Sequence, residues 1–217
     1  YEHQANDDVK ILDNYIVSRV PLKILWWNSI EARGNTILST GKRIEIETPA
    51  NVNLADYKLD TNSYPISEKN PPVFLLDKRK IDFVEWRQIN KFDISGSFSD
   101  ELIKKGRVFI RLNKYEKRRA NVIVFNQSRS SNIPVDLKDF LEKGDQYEVY
   151  DAQNYFGEPI LKGAFDGKQI NLPMISKDLT MPIGNTQKQP IHTNADFGAF
   201  IIFKGKNILN KNWNNAE

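Results

Sequence analysis

Ile11-Leu12-Asp13-Asn14-Tyr15-Ile16, Ala32-Arg33-Gly34-Asn35-Thr36-Ile37 and Leu59-Asp60-Thr61-Asn62-Ser63-Tyr64 share one pattern: an apolar residue, two residues, Asn, one residue, an apolar residue. Asn35 follows Asn14 by 21 positions and Asn62 follows Asn35 by 27. Repeats of this length build solenoids, because one repeat cannot bury its apolar face alone and stacking repeats can. An Asn at a fixed place in each repeat predicts a corner with the backbone in the left-handed region, which Asn tolerates better than most residues with a Cβ. Stacked amides can also hydrogen-bond along the stack. The flanking apolar residues, on alternate positions, would point inward from two strands that meet at the corner. Asn14, Asn35 and Asn62 are therefore expected to form a structural ladder, and residues 1–66 coils of a parallel β-helix. The competing reading is coincidence in a chain rich in Asn and Ile.

The rest of this stretch alternates in the same way. Val9 and Ile11, Leu22 and Ile24, Ile30 and Ala32, and Ile44 and Ile46 are separated by polar residues, the period of strands with one buried face. The spacing between them is too short for crossover helices, which disfavours a doubly wound sheet. Glu45 and Glu47 then share an outward face and are read as solvated, not as an acid pair. In Trp26-Trp27 adjacent rings face opposite ways, so one exposed ring could stack on a sugar. Asp7, Asp8 and Asp13 are weighed as a cation site and set aside as an acidic terminus.

Composition excludes several classes. Thirty-one basic against 28 acidic residues give +3 over 217 residues, without a basic block, so neither nucleic acid nor an anionic membrane surface is indicated. No apolar run approaches the roughly 20 residues of a bilayer span. The absence of Cys removes disulfides, thiolate metal sites and a Cys nucleophile. His3 and His192 lie at opposite ends of the chain, so no metal site is expected. The chain starts at Tyr1 without a signal-type segment, and is read as processed or truncated.

Residues 67–104 form a closing segment. Asn70-Pro71-Pro72 breaks regular structure, Val73–Leu76 is a short strand, and Asp82-Phe83-Val84-Glu85 starts a helix of about two turns that carries Phe83, Trp86 and Ile89 on one side. From 105 to 204 the texture changes to six short strands separated by turn signals at Lys143-Gly144-Asp145 and Asp166-Gly167, which predicts antiparallel hairpins in a small β-sandwich. Val135–Leu141 is read as one helical turn or a crossover. His192 with Asp196 is read as a loop hydrogen bond. Residues 205–217 are a tail without a core pattern.

Asn121-Val122-Ile123-Val124-Phe125-Asn126, Lys143-Gly144-Asp145-Gln146-Tyr147-Glu148-Val149, Asp151-Ala152-Gln153-Asn154-Tyr155-Phe156-Gly157, Leu172-Pro173-Met174 and Phe197-Gly198-Ala199-Phe200, in that order, resemble the C-terminal β-sandwich of secreted bacterial right-handed parallel β-helix proteins of the pectin-lyase-like superfamily. Leu59–Tyr64, Phe83–Trp86 and Phe92–Ser95 resemble their last coil and closing segment. The resemblance implies an all-β fold: terminal coils of a right-handed parallel β-helix followed by a small antiparallel β-sandwich. It implies the C-terminal portion of a secreted or cell-surface polysaccharide-acting or polysaccharide-binding protein, a lyase or a glycoside hydrolase, with the catalytic groove upstream. The alternative is a non-catalytic structural or surface-assembly module. No catalytic residue carries over to this chain. Trp26, Trp27 and Tyr155 are the carbohydrate-stacking candidates. No cofactor is expected in this chain, although the resemblance allows calcium in the parent protein. The expected partners are a polysaccharide and an upstream β-helix segment, or another chain, on the N-terminal coil, whose strand edges would otherwise stay open.

Overall fold

The structure is a computed structural model that describes residues 5–39, 41–65, 73–99, 106–174, 179, 181, 183–184, 188–193 and 195–205. The readings that fell on Asn70-Pro71-Pro72, on His3 and on the tail beyond Gly205 lie outside these residues. The protein is all-β, 47% strand and 7% helix, built from several small sheets without a barrel. It divides into two compact units, Tyr1–Ile103 and Lys104–Glu217.

In the first unit the chain visits three sheets in rotation. Strands β1 (Val9–Leu12), β2 (Tyr15–Ser18) and β3 (Leu22–Leu25) are followed by β4 (Ile30–Arg33), β5 (Thr36–Ser39) and β6 (Lys42–Glu47), and then by β7 (Tyr57–Asp60), β8 (Ser63–Pro65) and β9 (Val73–Leu76). β1, β4 and β7 form one parallel sheet, β2, β5 and β8 a second, and β3, β6 and β9 a third. The register puts like residues over like: Val9, Ile30 and Tyr57; Ile11, Ala32 and Leu59; Leu22, Ile44 and Phe74; Ile24, Ile46 and Leu76. These rows fill one apolar core. Burying each large member contributes about 1.5–3 kcal/mol.

The corner between the first two sheets differs from the sequence expectation. The left-handed residue is the one before each Asn: Asp13 has φ 55°, Gly34 φ 66° and Thr61 φ 57°, while the three Asn do not have positive φ. A left-handed residue there turns the chain by itself. The Asn amide is then left to bond along the stack. Glu45 also departs from its expected solvated position. It is buried between Lys23 of β3 and Leu75 of β9, and the Lys23 ammonium reaches its carboxylate at 3.3 Å.

The last round is closed by a hairpin and a helix. β10 (Arg79–Ile81) pairs antiparallel with β9 across Asp77 and Lys78, both left-handed. Helix α1 (Phe83–Gln88) follows, with the Asp82 carboxylate accepting from the Glu85 amide at 2.8 Å as its N-cap. Trp86 is fully buried, stacked on Phe74 at 4.8 Å and against Phe92 at 5.0 Å. β11 (Ser97–Ser99) then pairs parallel with β8.

The second unit has an antiparallel five-stranded sheet, ordered β12 (Arg107–Leu112), β13 (Arg119–Phe125), β18 (Phe197–Lys204), β15 (Gln146–Asp151) and β16 (Leu161–Ala164). A two-stranded sheet pairs β14 (Asn132–Val135) with β17 (Ile170–Pro173). Val122, Val149, Phe200 and Ile202 of the first share a core with Ile133, Val135 and Leu172 of the second. β14 was not anticipated, its Val135 having been read as the start of a helical turn or crossover; Pro134 sits in it because a two-stranded sheet has only edges, where Pro is tolerated. Neither expected turn closes a hairpin: the chain passes from β14 to β15 through Lys143-Gly144-Asp145 and from β16 to β17 through Asp166-Gly167, while β14 pairs with β17 and β15 with β16 and β18, so the chain changes sheets at both.

Candidate functional site

The asparagines form a continuous chain of side-chain hydrogen bonds. Asn14 Nδ2 donates to Asn35 Oδ1 at 3.1 Å, Asn35 Nδ2 to Asn62 Oδ1 at 2.9 Å, and Asn62 Nδ2 to Asp93 Oδ1 at 2.8 Å. The backbone amides of Asn14 and Asn35 donate to the same acceptors at 2.9 and 3.0 Å. The second proton of each buried amide goes to a main-chain carbonyl, Ile11 for Asn35 and Ala32 for Asn62. Asn35, Asn62 and Asp93 are fully buried. Every group in such a row must be satisfied, since an orphaned buried polar atom costs about 1–3 kcal/mol.

Asp93 ends the row. Its Oδ2 accepts from the Tyr64 hydroxyl at 2.6 Å and from the Trp86 indole at 2.9 Å. The Tyr64 hydroxyl is pushed well above its ordinary pKa, first by burial and then by the charge of Asp93. At the other end Asn14 is exposed, and no described residue donates to its Oδ1.

The stacking candidates fall in three settings. Trp26 is 37% exposed at a left-handed corner (φ 61°), tied down by its amide donating to the Glu47 carbonyl. Trp27 is half-buried against the core of the first unit, and its carbonyl accepts from the Tyr57 hydroxyl at 2.5 Å. Tyr155 belongs to an aromatic run on the second unit: Phe156 is 5.1 Å away, Tyr150 6.2 Å and Phe203 6.4 Å, with Tyr150 and Phe203 in edge contact at 5.8 Å. Phe156 is 96% exposed and Tyr155 36%. The sequence pointed to Tyr155 and passed over Phe156 and Phe203. Phe156 adjoins Tyr155, and Phe203 alternates with the buried Ile202, so both had a sequence signal.

His192 is not partnered as expected. Its Nε2 lies 2.5 Å from Asp151 Oδ2, with both side chains nearly buried, while Asp196 makes two bonds to Arg129 at 2.7 and 2.8 Å. The other Asp151 oxygen accepts from the Gln153 amide, and Gln153 Oε1 accepts from the amide and hydroxyl of Thr193. The group clamps a loop to the end of β15. Asp7 and Asp8 accept from Asn28 and Ser29 on the next round. Among the described residues no group of three or more His, Asp or Glu is placed to hold a metal ion, and no helix is long and apolar enough to cross a membrane. No family, curated protein or solved structure matches the chain.

Proposed function

We propose that the first unit is the last coils of a right-handed parallel β-helix, that the second is a small antiparallel β-sandwich, and that together they form the glycan-binding C-terminal portion of a secreted or cell-surface polysaccharide-acting or polysaccharide-binding protein. The observation that carries the binding role is the exposed pair Tyr155 and Phe156, continued through Tyr150 and Phe203. Rings clustered at the surface in edge and tilted contacts offer apolar faces of the kind that sugar rings stack on. Chemistry, where the parent protein has it, sits upstream of this chain.

A second reading is a structural module, favoured by the ladder itself. It is sealed at Asp93, and among the described residues nothing donates to the side-chain oxygen of Asn14, where a preceding coil, or another chain, would supply a donor. A glycan array and a turnover assay on the full chain separate the two. Binding without turnover supports the glycan-binding reading; no binding to any glycan leaves the structural module; turnover by this chain contradicts the siting of chemistry upstream.

A further inference from the structure

We infer that an open groove of about 900 Å³ in the second unit, which shares Phe203 with the aromatic run, binds an acidic sugar chain. This rests on the glycan-binding reading above and adds both the place and the charge of the ligand.

The groove is built from the β12–β13 turn and the ends of β15, β16 and β18. Tyr115 stands on the turn with its side chain 96% exposed. Its backbone is fixed: Asn113 Oδ1 accepts from the amides of Tyr115 at 2.9 Å and Glu116 at 2.8 Å, and the Asn113 and Arg119 amides close the turn at 3.0 Å each. Beside it the register sets Lys162, Glu148, Phe203 and Arg119 in one row across four strands. A ligand in the groove therefore meets a ring from the turn, Tyr115, a ring from the sheet, Phe203, and charged side chains of both signs.

Four cations line the groove, Lys117, Arg118, Lys162 and Lys204, against two carboxylates, Glu116 and Glu148. Lys204 is held by Asp145 at 2.7 Å, and Glu116 by Arg119 at 3.3 Å. Arg118 uses its Nε on the Lys204 carbonyl at 2.8 Å. Among the described residues Lys117, Lys162 and the Arg118 guanidinium have no carboxylate partner. Lys117 and Arg118 adjoin on the turn and Lys162 comes from β16, so three cations stand beside the rings of Tyr115 and Phe203. Glu148, which accepts from the Tyr150 hydroxyl at 2.9 Å, stays exposed and able to accept from a sugar hydroxyl.

The mixture selects the ligand class. A neutral glycan would leave the surplus cations unused. A nucleic acid, with a charge on every nucleotide, would set phosphates against Glu148 and Glu116. A chain of hydroxylated rings with sparse carboxylates or sulfates uses the rings, the cations and the carboxylates together.

The test is affinity electrophoresis of the full chain in gels containing alginate, chondroitin sulfate, dextran or single-stranded oligonucleotide. Retardation is expected with the first two and much less with dextran or oligonucleotide. Lys117→Ala with Lys162→Ala should weaken binding of the acidic glycans about tenfold, the size of two exposed ion pairs, without changing that of dextran. Tyr115→Ala should weaken all glycan binding. Equal retardation by dextran, tighter binding of the oligonucleotide, or an unchanged double variant overturns the acidic-groove inference and leaves glycan binding as such intact. Failure to bind any glycan overturns both.

Discussion

Replacing Asn35 by Ala removes the centre of the ladder. Its side chain makes four hydrogen bonds: it accepts from the Asn14 amide and Asn14 Nδ2, and donates to the Ile11 carbonyl and Asn62 Oδ1. Asn35 is fully buried, so water does not replace its two donations. At about 1 kcal/mol for each lost bond, and more where an acceptor is left orphaned, the cost is about 3–5 kcal/mol. That is a large share of a total stability of about 5–15 kcal/mol. Asn14→Ala is the internal control: two bonds are lost, but the residue is exposed and water substitutes, so the cost stays below about 1 kcal/mol. Urea unfolding followed by tryptophan fluorescence reports mainly on the first unit, which holds Trp26, Trp27 and Trp86 of the four tryptophans. Equal midpoints for the two variants would refute the reasoning, since the argument rests on the difference in burial.

Asp93→Asn, nearly isosteric, should cost about 2–4 kcal/mol in the same assay: whichever way the amide is turned, its N–H faces a donor, from Asn62 on one side or from Trp86 on the other; a cost near zero would show that Asp93 does not end the row. Gly34→Ala should destabilise by about 1–2 kcal/mol because φ is 66° there, while Gly34→Asn should cost less; thermal melts of the two variants check the ranking. At high pH the first unit should lose stability as pH climbs from about 10 toward 12. Burial, and then the charge of Asp77, pushes Tyr57 up to about 12, and burial pushes Tyr64 up as well. The unfolded phenols ionise near 10, so stability is complete below that value and falls above it. Phenolate absorbance should show two of the eight tyrosines titrating only as the unit unfolds, and a titration of all eight before unfolding would contradict it.

The ladder positions could be read from the spacing of Asn14, Asn35 and Asn62, because stacking forces the same residue to the same place in each repeat. Its fourth member could not. Asp93 follows Asn62 by 31 positions, changes Asn to Asp, and arrives after a hairpin and a helix instead of another strand pair. The corner was misplaced by one residue, since spacing alone does not separate the residue that turns the backbone from the one whose side chain bonds along the stack. Asp82 and Trp86 were legible, as a cap at fixed distance from Glu85 and an apolar residue on the inward side of the helix. In the second unit, alternation revealed most strands but not β14, four residues long, whose Val135 was read as the start of a helical turn or crossover. The partnership of Phe203 with Tyr150 and Tyr155 depends on strand register, and that of His192 with Asp151 on a contact spanning 41 positions. Local pattern carries neither.

The most direct measurement is proton NMR of the side-chain amides. Asn35 and Asn62 should show slow solvent exchange and mutual Overhauser contacts between Nδ2 protons and the neighbouring amides, despite 27 positions between them, while Asn14 exchanges fast. Fast exchange at all three, or no contact between residues 35 and 62, would contradict the stacked arrangement on which the account stands.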